Sequence, residues 1–378
     1  MRVVLIGAFP FPFPQGSQVF AAGQARALVQ AGAQVALACY GRGAGTSPAA
    51  VERLRTPRAV SPRRMRSGPT PGKLLADPAL VATVLRAHRR ARFDVALAHN
   101  AEAALVADAA RALGGPPFVY VAHTLLAEEL DAYLPRAWST AARRAGRRID
   151  RFAAARADAV LTLCEFASDA LAPWARGPVE CIAPGHDDAL PDDPAGVARI
   201  CAEHRLALRG FSLYTGNLDG YQDLALLAEA ARRLPEGAPP LVVATHDRER
   251  AVPPPLRAVR VGRAAQARAL TRAAQALVLP RRRRGGFPIK LLNYMEAERP
   301  IVAFREVACG LVNERDALLP RREEGAAGLA RSLTRLGADE ALGETLARAA
   351  RARLARHHDW PRIARRTLDL CARVSGCD

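Results

Sequence analysis

The sequence predicts an α/β protein of two doubly wound parallel-sheet halves, on three observations. Short apolar runs alternate with longer amphipathic segments almost from end to end, the pattern of parallel strands covered by helices. The alternation breaks once, at the turn-dense acidic stretch Pro184–Pro194, and then resumes. At roughly 100–200 residues per domain, 378 residues supply each half with enough chain for its own core.

In the first half, strands are expected at Arg2–Gly7, Gln34–Tyr40, Asp94–His99, Phe118–His123, Ala159–Cys164 and Glu180–Ala183. Helical periodicity fills the intervals near Gln18–Ala31, Lys73–Arg92, Glu102–Leu113, Arg136–Arg156 and Phe166–Trp174. Gly41–Gly72, rich in Gly, Pro, Ser and Arg, reads as a mobile loop with one short strand near Val51–Leu54. Past the linker, strands are expected at Phe211–Thr215, Leu241–Ala244, Val259–Val261, Ala276–Leu279, Ile301–Phe304 and Ala317–Leu319. Helices are expected at Asp223–Leu234, Ala265–Ala274, Pro288–Glu298 and Gly328–Leu336, with long ones from Glu340 onward. The domains are therefore 1–190, 191–355 and a closing helix, 356–378. Two such halves imply a cleft, with ligands outside the carboxyl ends of the strands.

Composition narrows the function. Half the residues are hydrophobic, which excludes a wholly disordered chain. No run of about 18 uncharged apolar residues occurs, so no spanning helix is expected. The opening Met1–Gly7, followed by Pro10, Pro12 and Pro14, suits a first strand and turn better than a signal peptide. Seven cysteines without a Cys-x-x-Cys pair point to a reducing cytoplasm, not to a zinc site or disulfide framework. The net charge of +18 comes from 55 basic residues, all arginine except Lys73 and Lys290. Aromatics are only 5% and are not interleaved with the basic runs, so no base-stacking platform for nucleic acid is visible. An anionic membrane surface or a phosphorylated substrate fits the charge better. Arg136, Arg143, Arg144, Arg147 and Arg151 can share one helix face, either a solvated face or one resting on anionic lipid.

The sharpest segment is Arg281–Lys290, at the end of the Ala276–Leu279 strand. Pro288 suits a first helical position. Gly285 and Gly286 let a ligand approach the backbone, and free N–H groups would face an anion there. A lysine in the first turn is unfavourable unless something negative is near, so Lys290 suggests a diphosphate ligand. The four arginines are either a phosphate funnel or a solvated basic loop.

Gly286-Phe287-Pro288-Ile289-Lys290-Leu291-Leu292-Asn293-Tyr294-Met295, with Arg299-Pro300-Ile301-Val302-Ala303 after it, resembles the donor-site signature of family-4 glycosyltransferases. The likeness continues in Pro14-Gln15-Gly16-Ser17-Gln18-Val19, in Phe93 to Asn100, in Val119 to Thr124 and in Ala157 to Val160. It extends through Ala183 to Asp187, Tyr214 to Leu218 and His358 to Ala364, so nearly the whole chain is covered. The resemblance implies the GT-B fold, two Rossmann-like domains facing an interdomain cleft. The N-terminal domain would lie on the acceptor side and the C-terminal one would bind the nucleotide sugar.

It also implies a retaining glycosyltransferase that moves a sugar from a nucleotide-diphosphate sugar to a hydroxyl acceptor, in bacterial surface glycan, glycolipid or secondary-metabolite glycosylation. Gly16, Asn217, Gly286, Phe287, Pro288, Ile289, Lys290 and Asn293 would bind the donor. His123 and Lys290 would be catalytic, and His99 and Asn100 would lie on the acceptor side. No cofactor and no protein-bound metal are expected, and the protein would be cytoplasmic, with a possible peripheral membrane location. The sequence departs from the family at named positions. The Glu-x7-Glu pair falls on Gly285 and Asn293, and the usual diphosphate-gripping Arg falls on Asn217. The region of the usual Lys reads Asp219-Gly220-Tyr221-Gln222-Asp223. Two rival readings stay open: a catalytically weak homologue acting as a scaffold, and a nucleotide-sugar epimerase.

Overall fold

The computed structural model describes residues 1–12, 16–43, 50–62, 72–130, 136–187, 193–247 and 251–376. It divides into two compact units, the first comprising Met1–Asp187, Gly285–Phe287 and His358–Asp378, the second Asp188–Arg284 and Pro288–His357.

The first unit holds strands β1 (Arg2–Pro10), β2 (Gln34–Tyr40), β3 (Glu52–Arg55), β4 (Val95–His99), β5 (Phe118–Ala122), β6 (Ala159–Thr162) and β7 (Val179–Cys181). Its helices are α1 (Gly16–Gln30), α2 (Lys73–Arg90), α3 (Asn100–Ala112), α4 (Leu126–Glu129), α5 (Ser139–Arg156) and α6 (Glu165–Leu171). All strand pairs are parallel, in the order β3-β2-β1-β4-β5-β6-β7. Val3 to Ile6, the core of β1, are fully buried, because helices cover both faces of a parallel sheet.

The second unit holds α7 (Pro194–Glu203), β8 (Ser212–Thr215), α8 (Leu224–Arg232), β9 (Leu241–Thr245), β10 (Arg257–Arg260), α9 (Ala264–Ala273) and β11 (Ala276–Leu279). α10 (Lys290–Glu296), β12 (Ile301–Ala303), α11 (Gly325–Ala338) and α12 (Glu340–His357) follow. Its strands are again all parallel, in the order β10-β9-β8-β11-β12. In each sheet the winding direction reverses once, between β1 and β4 and between β8 and β11. Such a switch point leaves a crevice at the carboxyl ends of the two strands, where neighbouring loops part in opposite directions.

The last helix, α13 (Trp360–Ser375), belongs to the first unit. Asp359 caps it, its carboxylate accepting the Arg362 amide at 3.0 Å. The Trp360 ring fills the space that Cβ atoms would need at Gly23 and Gly185, and its Nε1 donates to Asp187 at 2.9 Å.

Four expectations need correction or placement. Ala317–Leu319 is not a strand; Leu318 bridges Val302 and Ala317 bridges Asn313, each as an isolated pair, while the Leu319 amide is taken by the Asn313 side chain at 2.7 Å. The helix expected from Pro288 starts at Lys290, because Pro288 to Ile289 form a tighter turn whose carbonyls accept from Leu291 and Leu292. Part of the linker is helical: Asp193 accepts the Gly196 amide at 2.7 Å and Pro194 opens α7. Residues 188–192 of that linker, residues 44–49 and 63–71 of the expected mobile loop, and Pro14 and Gln15 lie outside the described residues.

Candidate functional site

Chemistry-bearing residues gather at both switch points. In the first unit, His99 ends β4 and His123 follows β5. Parallel pairing of these neighbouring strands brings the rings together, with His99 Nδ1 2.8 Å from His123 Nε2. Both are buried, at 1% and 4% exposure, and Phe20 of α1 closes edge-on against His123 at 4.9 Å. Burial pushes the His99 imidazolium down to about 3 and that of His123 well below its usual range. The pair is therefore neutral at physiological pH, one ring donating and the other accepting. His99 Nε2 has no protein partner. Asn100, held at φ +71°, donates to Ser17 Oγ at 3.3 Å and leaves its buried Oδ1 unpartnered. Gly16 is exposed at the start of α1.

Gly285 to Phe287 form part of this unit. The Gly285 carbonyl accepts the Leu125 amide at 2.6 Å, and Gly286 bridges Thr124. A Cβ on Gly286 would sit 2.0 Å from the His123 carbonyl oxygen. The close approach that this glycine permits is thus to the chain itself. Phe287 is buried against the His358 ring at 5.5 Å.

Asp150 anchors the segment that follows His123. Its carboxylate, 3% exposed, accepts the Leu126 and Ala127 amides at 3.0 and 2.9 Å, capping α4. Burial pushes this carboxyl up to about 6 against those two hydrogen bonds. Gly146, one turn earlier on α5, lets the α4 backbone come close, since a Cβ there would lie 2.6 Å from Leu126. Sequence reasoning misses both residues. The available signal is one acid in an arginine-rich helix. The opposite side of α5 exposes Arg143, Arg144, Arg147 and Arg148, with Trp138 and Phe152 also exposed. The Arg136 side chain lies outside what is described. Glu102 is engaged by Lys73 at 2.5 Å.

In the second unit, Lys290 on α10 reaches back to the end of β8. Its ammonium donates to Tyr214 Oη at 2.9 Å and Gln222 Oε1 at 3.2 Å, and lies 4.2 Å from the centre of the Tyr214 ring. Gln222, 4% exposed, passes the network on to Asn217 Oδ1 at 3.0 Å, and Asn217 donates to Asp219 at 2.6 Å. Asn217 is thereby committed to the loop, and its carbonyl accepts the Tyr214 hydroxyl at 2.8 Å. Gly216 is required here twice over. Its φ is +142°, and a Cβ would fall 2.6 Å from Lys290 Nζ. Burial, then the Arg281 charge, push the Lys290 ammonium down to about 7, against a smaller opposing pull from Asp219. Tyr294, one turn on, holds α10 to both switch-point strands through the Thr215 amide at 3.0 Å and the Val278 carbonyl at 3.4 Å. Pro288 is buried, Ile289 half-buried and Asn293 exposed.

The structure thus joins His99 to His123, and Lys290 to Asn217. Tyr214, Gln222 and Asp219 complete the second cluster and escape sequence reasoning, because Tyr214 reads as one more apolar residue of the β8 strand and the polar loop residues Asp219 and Gln222 carry no periodicity. Among the described residues no group of three or more His, Cys, Asp or Glu could hold a metal, and no helix is long and apolar enough to cross a membrane.

Residues 15–185 match the glycosyl transferase 4-like domain, and residues 211–339 match the glycosyl transferases group 1 domain. No curated protein matches the chain in sequence. Solved structures that share its fold include the following three. Sucrose-phosphate synthase from Thermosynechococcus elongatus is 16% identical with a TM-score of 0.83, covering 100% of both chains. Anabaena HepE in complex with UDP-glucose is 15% identical with a TM-score of 0.72, over 99% of this chain and 100% of that one. A point mutant of S. aureus TarM, in complex with fondaparinux, α-GlcNAc-glycerol and UDP, is 8% identical with a TM-score of 0.70, over 98% of this chain and 99% of that one.

Proposed function

We propose that this chain, which belongs to the family-4 type of glycosyltransferases with the GT-B fold, is a retaining enzyme. It transfers a hexosyl group from a nucleotide-diphosphate sugar to a hydroxyl acceptor. The observation that carries the reading is the Lys290 cluster at the β8/β11 switch point, a half-buried cation on hydrogen-bonding neighbours where an α/β sheet binds its ligand. The second unit is read as the nucleotide-sugar domain and the first as the acceptor-side domain. The UDP and UDP-glucose complexes of HepE support a nucleotide-sugar donor.

In this mechanism Lys290 stabilises the negative charge that develops on the diphosphate as the sugar–oxygen bond breaks. Such preorganised electrostatics is usually the largest catalytic contribution. The acceptor hydroxyl attacks the anomeric carbon from the face the leaving group vacates, and its proton passes to the departing phosphate oxygen. No protein base is then required. That suits a His99–His123 pair kept neutral by burial. His123 contributes its backbone carbonyl and ring wall to the sugar site, Gly16 and the Gly286–Ile289 backbone line the donor, and Asn293 meets the ribose. His99 and Asn100 lie on the acceptor side. The product belongs to surface glycan, glycolipid or secondary-metabolite glycosylation, in the cytoplasm, and no cofactor takes part.

Calorimetry with UDP, GDP and other nucleoside diphosphates, on wild type and Lys290→Ala, tests the reading. One nucleotide should bind tightly and lose at least tenfold with the substitution. No binding by a demonstrably folded wild type would move the assignment to a non-catalytic scaffold. The exposed arginines of α5, with Trp138 and Phe152, support peripheral docking on anionic lipid. Sedimentation with phosphatidylglycerol vesicles should pull down wild type and spare a variant with Arg143, Arg144, Arg147 and Arg148 changed to Glu. Equal pelleting would remove this membrane role.

A further inference from the structure

Phe287 is the last residue before the Pro288 turn that leads into Lys290, and a side chain from a distant segment holds its ring. The chain passes between the two units at Asp187–Asp188, Arg284–Gly285, Phe287–Pro288 and His357–His358. The segments 184–187 and 285–287, and the one that begins at His358, all lie in the first unit. His358 joins them. Its carbonyl accepts the His186 amide at 2.8 Å, beside an isolated bridge between His186 and Asp359. Its ring Nδ1 lies 2.7 Å from the Pro184 carbonyl oxygen. A carbonyl oxygen only accepts, so that nitrogen carries the proton and donates. The same ring stands edge-on to Phe287, with 5.5 Å between centres and 61° between planes. Both side chains are buried, at 4% and 6% exposure.

Each partner in this contact is fixed from behind. Pro184 belongs to a segment closed by Trp360, whose ring fills the space beside Gly185 and whose Nε1 donates to Asp187 at 2.9 Å. On the other side, the Gly285 carbonyl accepts the Leu125 amide and Gly286 bridges Thr124. Those two contacts fix where the backbone of the 285–287 segment lies. The orientation of the Phe287 ring is set by His358. Past Phe287 the chain is stiff, because Pro288 has a fixed φ and the Pro288 and Ile289 carbonyls accept from Leu291 and Leu292 at 2.8 and 3.1 Å. A tilt of the Phe287 ring is therefore carried into the turn that starts α10.

We propose that His358 is a positioning residue of the donor site. The Pro184 carbonyl orients its ring, the ring sets Phe287, and Phe287 sets the turn from which Lys290 reaches Tyr214 and Gln222. His358 acts through Phe287, not on the donor itself. A site that holds a charged ligand works only within a narrow geometric tolerance, and that tolerance is supplied by side chains locked behind it. The inference rests on the reading of the Lys290 cluster as the donor site.

The test compares wild type with His358→Asn, with Phe287→Leu and with the double variant. Asparagine keeps a donor for the Pro184 carbonyl and removes the ring. Hydrogen exchange at the Leu291 amide reads the turn, while the Ile363 amide, bonded to the Asp359 carbonyl, reports on α13. Calorimetry with UDP and GDP reads the site. His358→Asn should speed exchange at Leu291 about tenfold, leave Ile363 unchanged and weaken the preferred diphosphate about tenfold. Phe287→Leu should do the same, and the double variant should go little further, because the two residues act as one unit. Unchanged exchange at Leu291, or unchanged diphosphate affinity, in His358→Asn overturns the proposal, as do losses that add fully in the double variant. If His358→Asn fails to fold, Phe287→Leu decides, since it leaves both His358 hydrogen bonds in place; unchanged exchange or affinity there overturns the proposal equally. If a folded wild type binds neither nucleotide, the donor reading falls and the role of His358 in it falls too.

Discussion

Lys290→Met isolates the cost of keeping a cation at the β8/β11 switch point. In the folded chain the ammonium is pushed down to about 7, against 10.5 for an ordinary lysine. Between these values the unfolded chain holds a proton that the native protein has released, so wild-type stability rises with pH across that window. Below about 7 both states are protonated and the deficit is complete. At ~1.4 kcal/mol per unit the gap corresponds to ~5 kcal/mol as an upper bound. Lys290 keeps some contact with solvent, which screens its charge, so about half of that figure is expected. Methionine fills similar volume with no charge and loses two hydrogen bonds, worth about 1 kcal/mol each. The net change at one pH is therefore small, and the informative quantity is its slope. Urea unfolding of both proteins from pH 6 to pH 10 should show wild type gaining about 2–4 kcal/mol on the variant. Parallel curves would refute the argument that Lys290 is held at an electrostatic cost. Higher stability of the variant at pH 6, combined with lost nucleotide binding, would mark a site that gives up stability for function.

Two further outcomes follow from backbone contacts. Gly286→Ala places a methyl 2.0 Å from the His123 carbonyl oxygen, so it should destabilise the chain by about 3 kcal/mol and lower transferase activity; a thermal melt unchanged within about 1 °C would contradict that contact. Asp150→Asn offers one acceptor oxygen where the carboxylate offers two, at a local cost of about 1–3 kcal/mol. Hydrogen exchange at the Leu126 or Ala127 amide should accelerate about tenfold or more, and unchanged exchange at both would remove Asp150 as the anchor of this segment.

The strands are the most legible part of the sequence. Gln34–Tyr40 and Ala276–Leu279 begin and end in the structure where the sequence places them, because both-sided burial demands an unbroken apolar run. Boundaries set by side-chain capture are less legible. Ala317–Leu319 has the composition of a strand, yet Asn313 takes the Leu319 amide and the ladder ends after one bridge. α7 carries a readable start in Asp193-Pro194, but its acidic, turn-like surroundings mask it. Lys290 stands out because a lone lysine in an arginine-rich chain is conspicuous. Gln222, Asp150 and Gly146 do not, since their roles depend on partners 68, 24 and 20 residues away.

By itself the sequence determined the class of fold, the order of the strands along the chain and the motif that places a lysine and two glycines after β11. Those features are local, arising from periodicity, turn chemistry and the stiffness of proline. Only the tertiary structure decided which of four identical arginines turns inward, and that Gly286 makes room for the His123 carbonyl. It also decided that two histidines 24 residues apart share one hydrogen bond. Such choices depend on which strand ends become neighbours and which polar atoms find a partner once water is excluded. Strand order in space supplies that information, and no window of consecutive residues contains it.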